Sequence, residues 1–180
     1  MKKIIALLLA VVLMGSFLAC AAKDNNNDKT DKYKDLALNV TEFGTELVGK
    51  CSFENALEPT DNDADSINFA LTELLQLDPA LLNSTGGVPE LYFASTSSSP
   101  ERVLVIGAKD AETAKTLSDE TMKAWLENYA KLCEGYWDQH IPKLNTAVNK
   151  AAGRYVFIIV SNDNTAAAAA LDDMLKAAVK

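Results

Sequence analysis

The stretch Arg102–Ala108, RVLVIGA, decides the fold, together with its counterpart Arg154–Ser161, RYVFIIVS. Both are short apolar runs rich in β-branched and aromatic residues and bounded by turn signals, which reads as strand. Each has a partner just upstream. Pro89–Ser95 carries Leu91, Tyr92 and Phe93, and the Ser-rich loop Thr96–Pro100 joins it to the first run. Asn145–Ala151 precedes the second run, with the expected turn at Ala152-Gly153. Each pair reads as a hairpin, and each is followed by a helix start. Asp110 caps a long helix expected to reach about Gln139, and Asn162–Asn164 begin a last helix that buries Leu171, Met174, Leu175 and Ala178.

The order strand–strand–helix therefore occurs twice. The expected class is α+β. A four-stranded, mostly antiparallel sheet from two hairpins carries a long central helix, a C-terminal helix and N-terminal helices. The two units share a texture, Arg followed by an apolar run, then Asp and Thr-Ala. A weak internal duplication and two independent hairpin–helix units both account for it.

At 100° steps along the central helix, Ala114, Leu117, Ser118, Met122, Trp125, Tyr129, Leu132, Cys133 and Tyr136 fall on one arc. Glu120, Lys123, Glu127, Lys131, Glu134 and Asp138 fall opposite. That is an amphipathic helix packed on a sheet. Upstream, Tyr33, Leu36, Val40, Phe43, Leu47 and Cys51 recur at helical spacing and predict a helix over about 31–49. A loop with Pro59 follows. A second helix is expected over about 64–76, with Ile67, Ala70, Leu71, Leu74 and Leu75 facing inward. Asp78-Pro79 opens a short helical turn. Gly86-Gly87 closes that region and is expected to follow no strand.

The N-terminus carries an address. Lys2 and Lys3 precede the apolar run Ile4–Gly15, which suits a secretory signal and falls short of a membrane span of about 20 residues. The run closes in Ser16-Phe17-Leu18-Ala19-Cys20. Apolar residues, a small residue and then Cys look like a lipobox. The expected cleavage lies between Ala19 and Cys20, with diacylglycerol on the Cys20 thiol. More than one acyl chain suffices for stable anchoring. The segment after Cys20, AAKDNNNDK, is polar and aperiodic, which reads as a tether. The expected organisation is a leader over 1–19, a lipidated Cys and tether over 20–30, and one domain over 31–180.

Composition restricts the partners. The chain has 25 acidic and 17 basic residues, a net charge of −8. Removal of Lys2 and Lys3 with the leader takes the charge near −10. That sign argues against nucleic acid and against a basic membrane-binding patch. The membrane partner is then the lipid anchor alone, and a protein or small ligand is unassigned. Cys51 and Cys133 remain once Cys20 is acylated. An extracytoplasmic compartment permits a bridge between them, which would stabilise by roughly 4 kcal/mol. Alternatively each is a small hydrophobe on an apolar helix face.

With these motifs in place, the chain resembles a known family. The lipobox, the Asn/Asp-rich tether and the segments RVLVIGAKDAETAKTL and GRYVFIIVSND are similar to bacterial lipoproteins grouped as domain of unknown function 4358. The similarity covers about 62–178, including the Asp63-Ala64-Asp65 helix start and the GGVPELYFAS strand. The Ser95–Ser99 loop departs from that pattern. The resemblance implies a lipid-anchored extracytoplasmic α+β domain and brings no activity or catalytic residues.

Specific chemistries find little support. His140, the single histidine, sits at a predicted helix end and builds no triad or metal cluster. Asp61, Asp63 and Asp65 alternate as in a calcium loop, but Ser66 and Thr72 stand where Gly and Glu are needed. No phosphate loop or nucleophile motif is present. Asp172-Asp173 point about 100° apart and share no site. No cofactor, metal site or catalytic residue is expected. Trp137, at the edge of the core arc, either covers the rim of the core or contributes to a contact patch. The expected function is a non-catalytic binding module on the extracytoplasmic face of the cell membrane. The alternative is an enzyme or enzyme accessory acting on cell-wall or solute substrates.

Overall fold

The computed structural model describes residues 31–179. Ala19, Cys20 and the tether lie outside the described residues. At the centre are β5 (Arg102–Gly107) and β7 (Tyr155–Val160), the two runs that open the sequence reading. They pair antiparallel with each other, Val103 opposite Ile159 and Val105 opposite Phe157. β4 (Leu91–Ser95) flanks β5, and β6 (Val148–Ala152) flanks β7. The class is α+β, as expected, but the sheet has five strands rather than four. The fifth is β1 (Glu58–Pro59), in the segment read as a loop, and the order is β1-β4-β5-β7-β6. Two residues are too few to show a period. Pro59 is tolerated there because an edge strand need not donate on both sides.

The central strands are apolar at nearly every position because both faces of the sheet are covered. On one face Phe93, Leu104, Ile106, Val156 and Ile158 meet the helices around the central one. On the other, Tyr92, Val103, Val105, Phe157 and Ile159 meet the first and last helices. Odd and even positions serve different layers, as the two-residue period of a strand requires. Each fully buried large side chain contributes roughly 1.5–3 kcal/mol. The two hairpin–helix units send their helices to opposite faces, Ala114 and Leu117 to one and Ala167 and Leu171 to the other.

Several boundaries move for local reasons. The expected helix over 31–49 is instead a turn at Asp31–Tyr33, an extended segment, and α1 (Val40–Lys50). Asn39 Oδ1 accepts from the amides of Thr41 (3.1 Å) and Glu42 (3.2 Å), which starts the helix there. Tyr155 Oη accepts from the Leu38 amide at 2.8 Å and holds the preceding segment on the sheet. Gly44 lets α1 lie against Tyr92, since a Cβ there would fall inside the ring. Gly86-Gly87 does follow a strand. It turns a small hairpin between β2 (Ser84–Thr85) and β3 (Val88–Pro89), with φ of +62° and +85°. Two successive positive φ values suit a two-residue hairpin turn.

The central helix runs as α3 (Ala111–Thr116), a π-helical segment (Leu117–Met122) and α4 (Lys123–Cys133). It starts where Asp110 Oδ1 accepts from the Thr113 amide at 2.7 Å. It stops six residues before Gln139, and Gly135 at φ +81° reverses the chain. Pro142 then opens a short helix, α5 (Ile141–Asn145), which takes Asn145 from the expected strand, and that strand starts at Val148 instead. The second hairpin turns at Gly153-Arg154, one residue later than expected. The last helix is α6 (Asn164–Ala178), with Asp163 accepting from the Ala166 amide at 2.9 Å.

Candidate functional site

Two π-helical segments position the site. α2 (Ala64–Phe69) widens into Ala70–Leu75, and the central helix widens at Leu117–Met122. A π turn takes up one more residue than an α turn, so everything after it is rotated by about 100°. The buried residues of α4 are therefore Leu126, Ala130 and Cys133. The straight-helix arc placed Trp125, Tyr129 and Leu132 there; the first two are half-buried and Leu132 is 75% exposed. Leu74, expected to face inward, is 45% exposed, while Leu75 takes the core position. π segments recur at functional sites.

The displaced side chains line one cavity of about 540 Å³, together with Gln76, Phe93 and Arg102. That volume lies within the range of small-molecule sites. Trp125 and Tyr129 stack with their rings 5° from parallel and centroids 5.4 Å apart. Trp125 Nε1 donates to the Leu74 carbonyl at 3.1 Å and ties the two π-bearing helices across the cavity. Gln76 ends the first π segment at φ +53°, the left-handed region that a residue with a Cβ rarely adopts. It is the one non-glycine residue there among the described residues.

Arg102 forms the inner wall. It is the first residue of β5 and is 7% exposed. Its guanidinium lies 4.0 Å from the Tyr129 ring centroid, 5.4 Å from Trp125 and 6.0 Å from Phe93. Nε donates to the Pro100 carbonyl at 2.9 Å, and Nη2 donates to Tyr129 Oη. Nη1 takes part in neither bond. Among the described residues no carboxylate pairs with it. Glu73 lines the outer cavity, but it is exposed and accepts from Thr72 Oγ1 at 3.4 Å. Burial pulls the Arg102 pKa below its ordinary value, and Tyr129 partly opposes this.

Arg154 shows what the same residue type does when its charge is met. It stands just before β7, as Arg102 stands at the start of β5. Its Nη1 reaches Glu90 Oε2 at 2.7 Å and it is more exposed than Arg102. Glu90 also accepts from Asn83 Nδ2 at 2.6 Å and Thr85 Oγ1 at 3.1 Å. The more deeply buried of the two arginines is the one without an acid.

A second polar cluster closes on itself. Buried Glu101 accepts from the Glu54 amide (2.9 Å), Ser99 Oγ (3.2 Å) and Lys143 Nζ (3.1 Å). Lys143 also reaches Glu54 Oε1 at 2.5 Å and Asn162 Oδ1 at 2.6 Å. Burial alone would lower the Lys143 pKa, but the bonds to Glu54 and Glu101 outweigh it and raise the net value. His140 is buried beside this cluster, its Nδ1 3.8 Å from Glu54 Oε1 and without a hydrogen bond. The cluster ties four chain segments together at one end of the sheet.

The residues singled out from sequence are scattered. Cys51 and Cys133 are both free and pack on opposite faces of the sheet, which rules out a bridge between them. Burial raises the Cys51 pKa to about 11. Trp137 is half-buried against the core and covers its rim. Tyr136, expected in the core arc, is 85% exposed because the helix has already ended. Asp63 caps α2, its Oδ1 accepting from the Asp65 and Ser66 amides at 3.0 Å each. Sequence reasoning missed Arg102, Trp125 and Tyr129 as a group. The available signal was a charge opening an apolar strand, and nothing in the helical period announces a π turn.

Among the described residues no helix is long and apolar enough to cross a membrane. Comparison of the chain with protein-family models, with curated proteins and with solved structures returned no match.

Proposed function

We propose that this chain is a lipid-anchored extracytoplasmic binding module and that it holds a small ligand in the cavity walled by Arg102, Trp125 and Tyr129. The anchoring half of this reading rests on the Cys20 motif and the polar tether, and on the resemblance to the lipoproteins of domain of unknown function 4358. The binding half rests on one observation: Arg102, a residue only 7% exposed and without a carboxylate partner among the described residues, lines a cavity of about 540 Å³. Buried charges are normally paired. Tyr129, Trp125 and Phe93 soften the cost through cation–π contacts, worth about 0.5–2 kcal/mol each. They do not neutralise the charge.

The test uses the two tryptophans of the chain, Trp125 and Trp137. In a Trp137→Phe variant the emission comes from Trp125 alone. The ratio of its iodide to caesium quenching constants should exceed that of free N-acetyltryptophanamide, which carries the intrinsic difference between the two quenchers. The overall charge of −8 favours caesium at long range, so a ratio above that of the free indole points to a local cation, and Arg102→Met should bring it down. A ratio at or below that of the free indole removes the site. Mass spectrometry of the native protein tests the anchor separately. Acyl chains on an N-terminal Cys20 are expected, and an intact Met1 overturns it.

A further inference from the structure

We propose that the cavity takes a monocarboxylic acid with an apolar body, its carboxylate held by the free edge of the Arg102 guanidinium and its body lying along Trp125, Tyr129, Leu74 and Leu132. This rests on the binding-module reading above and names the ligand class for it.

The anion follows from what Arg102 has left to give. Its bonds to Pro100 O and Tyr129 Oη use Nε and one proton of Nη2. One Nη1 proton and the second Nη2 proton form the end-on edge, which matches a carboxylate with two parallel bonds. The single charge follows from the rest of the lining. Arg102 is the one cation in it, with no lysine and no histidine, and Glu73 adds an acid near the mouth. A phosphate monoester, carrying about two charges, would leave net negative charge against a guanidinium that the protein buries and beside Glu73. A carboxylate is neutralised one for one. The apolar body follows from the side chains that the two π turns rotate out of the core. Leu74 and Leu132 stay exposed at 45% and 75%, which an apolar ligand would cover. Trp125 and Tyr129 offer a flat stacked surface beside them.

The experiment is calorimetric titration of the full-length protein in a neutral detergent with 4-phenylbutyrate, its primary amide, phenethyl phosphate and sodium acetate. The acid should bind at least tenfold tighter than the amide. Acetate, which lacks the body, and phenethyl phosphate, which carries the second charge, should each bind at least tenfold weaker than the acid. Arg102→Met should erase the preference for acid over amide while leaving amide binding within about twofold. Arg102→Lys, which keeps the charge but not the planar fork, should restore part of it. Glu73→Gln should leave acid binding equal or tighter. Unchanged circular dichroism of the Arg102→Met protein separates lost recognition from lost fold.

Equal binding of acid and amide, tighter binding of the phosphate, unaltered acid binding by Arg102→Met, or no heat with 4-phenylbutyrate up to 10 mM would each overturn the assignment. Failure here with iodide quenching intact would condemn the ligand class alone. Failure of both would condemn the site.

Discussion

Replacing Arg102 by methionine should leave the fold about as stable as before, whereas the same change at Arg154 should weaken it. At Arg102 the losses are the bonds to Pro100 O and Tyr129 Oη and the cation–π contacts. A hydrogen bond to a charged group is worth about 1.5–3 kcal/mol net. Methionine sulfur returns part of the aromatic contact, about 0.3–1.5 kcal/mol. Against the losses stands the desolvation of a cation that is 7% exposed and has no acid beside it, a penalty of several kcal/mol. The two sides nearly cancel, so the expected change lies within about 1 kcal/mol of zero, by the ranges just used. At Arg154 the cation has its acid, with Nη1 at 2.7 Å from Glu90 Oε2. Removing it strands a half-buried carboxylate and should cost about 2–4 kcal/mol, somewhat below the range for a fully buried pair. Urea unfolding followed by circular dichroism reads both, and thermal melts should separate the variants by about 2–4 °C per kcal/mol. If Arg102→Met loses more than about 3 kcal/mol, as breaking a buried pair does, the reasoning fails. Arg102 would then be a structural keystone, and its missing acid would say nothing about a ligand.

Three further outcomes follow from packing and titration. Gly44→Ala drives a methyl group into the Tyr92 ring; the strain of about 1–3 kcal/mol should outweigh the helix-propensity gain of up to about 1 kcal/mol. Gly49→Ala, with open space around it, should be neutral or stabilising, and a melt that lowers both equally would refute the contact. The bonds from Arg154, Asn83 and Thr85 outweigh burial and hold the Glu90 pKa below its ordinary 4.5. Its contribution should be full above pH 4.5 and fade as pH falls through the lower folded value, so wild type and Glu90→Gln should converge in acid and differ by about 1–3 kcal/mol at pH 7. A gap independent of pH would exclude the linkage. Cys51 and Cys133 should both take up iodoacetamide in denaturant without reductant, and Cys51 should react slowly in the native protein because its thiol titrates near 11. A protein that needs reductant before labelling would contradict the free thiols.

The two apolar runs, the helix starts at Asp63, at Asp110 and within Asn162–Asn164, and the turn at Gly153 to within one residue were legible in the chain, because each acts over a few residues. A strand period of two and a cap three residues from its target need no tertiary contact. What failed was everything that depends on phase carried over distance. The straight-helix arc placed Trp125, Tyr129 and Leu132 in the core, and one wide turn at Leu117–Met122 left the first two half-buried at its edge and turned Leu132 to solvent. Asn149, from a distant strand, meets the π turn with both ends of its amide: Nδ2 donates to the Ser118 carbonyl at 2.8 Å and Oδ1 accepts from Ser118 Oγ at 2.8 Å. The central helix stopped at Cys133, so Tyr136 faces solvent.

The amino-acid order by itself determined the four longer strands, their pairing into two hairpins, the helices that follow each hairpin and the α+β class, since those follow from local periodicity and turn chemistry. Only the tertiary structure decided that β5 pairs with β7, that Cys51 and Cys133 face opposite ways, and that Arg102 lies buried without an acid. Whether a charge is paired depends on residues far away in the chain, here Phe93 from the neighbouring strand and the Trp125 and Tyr129 rings that the π turn at Leu117–Met122 brings over it.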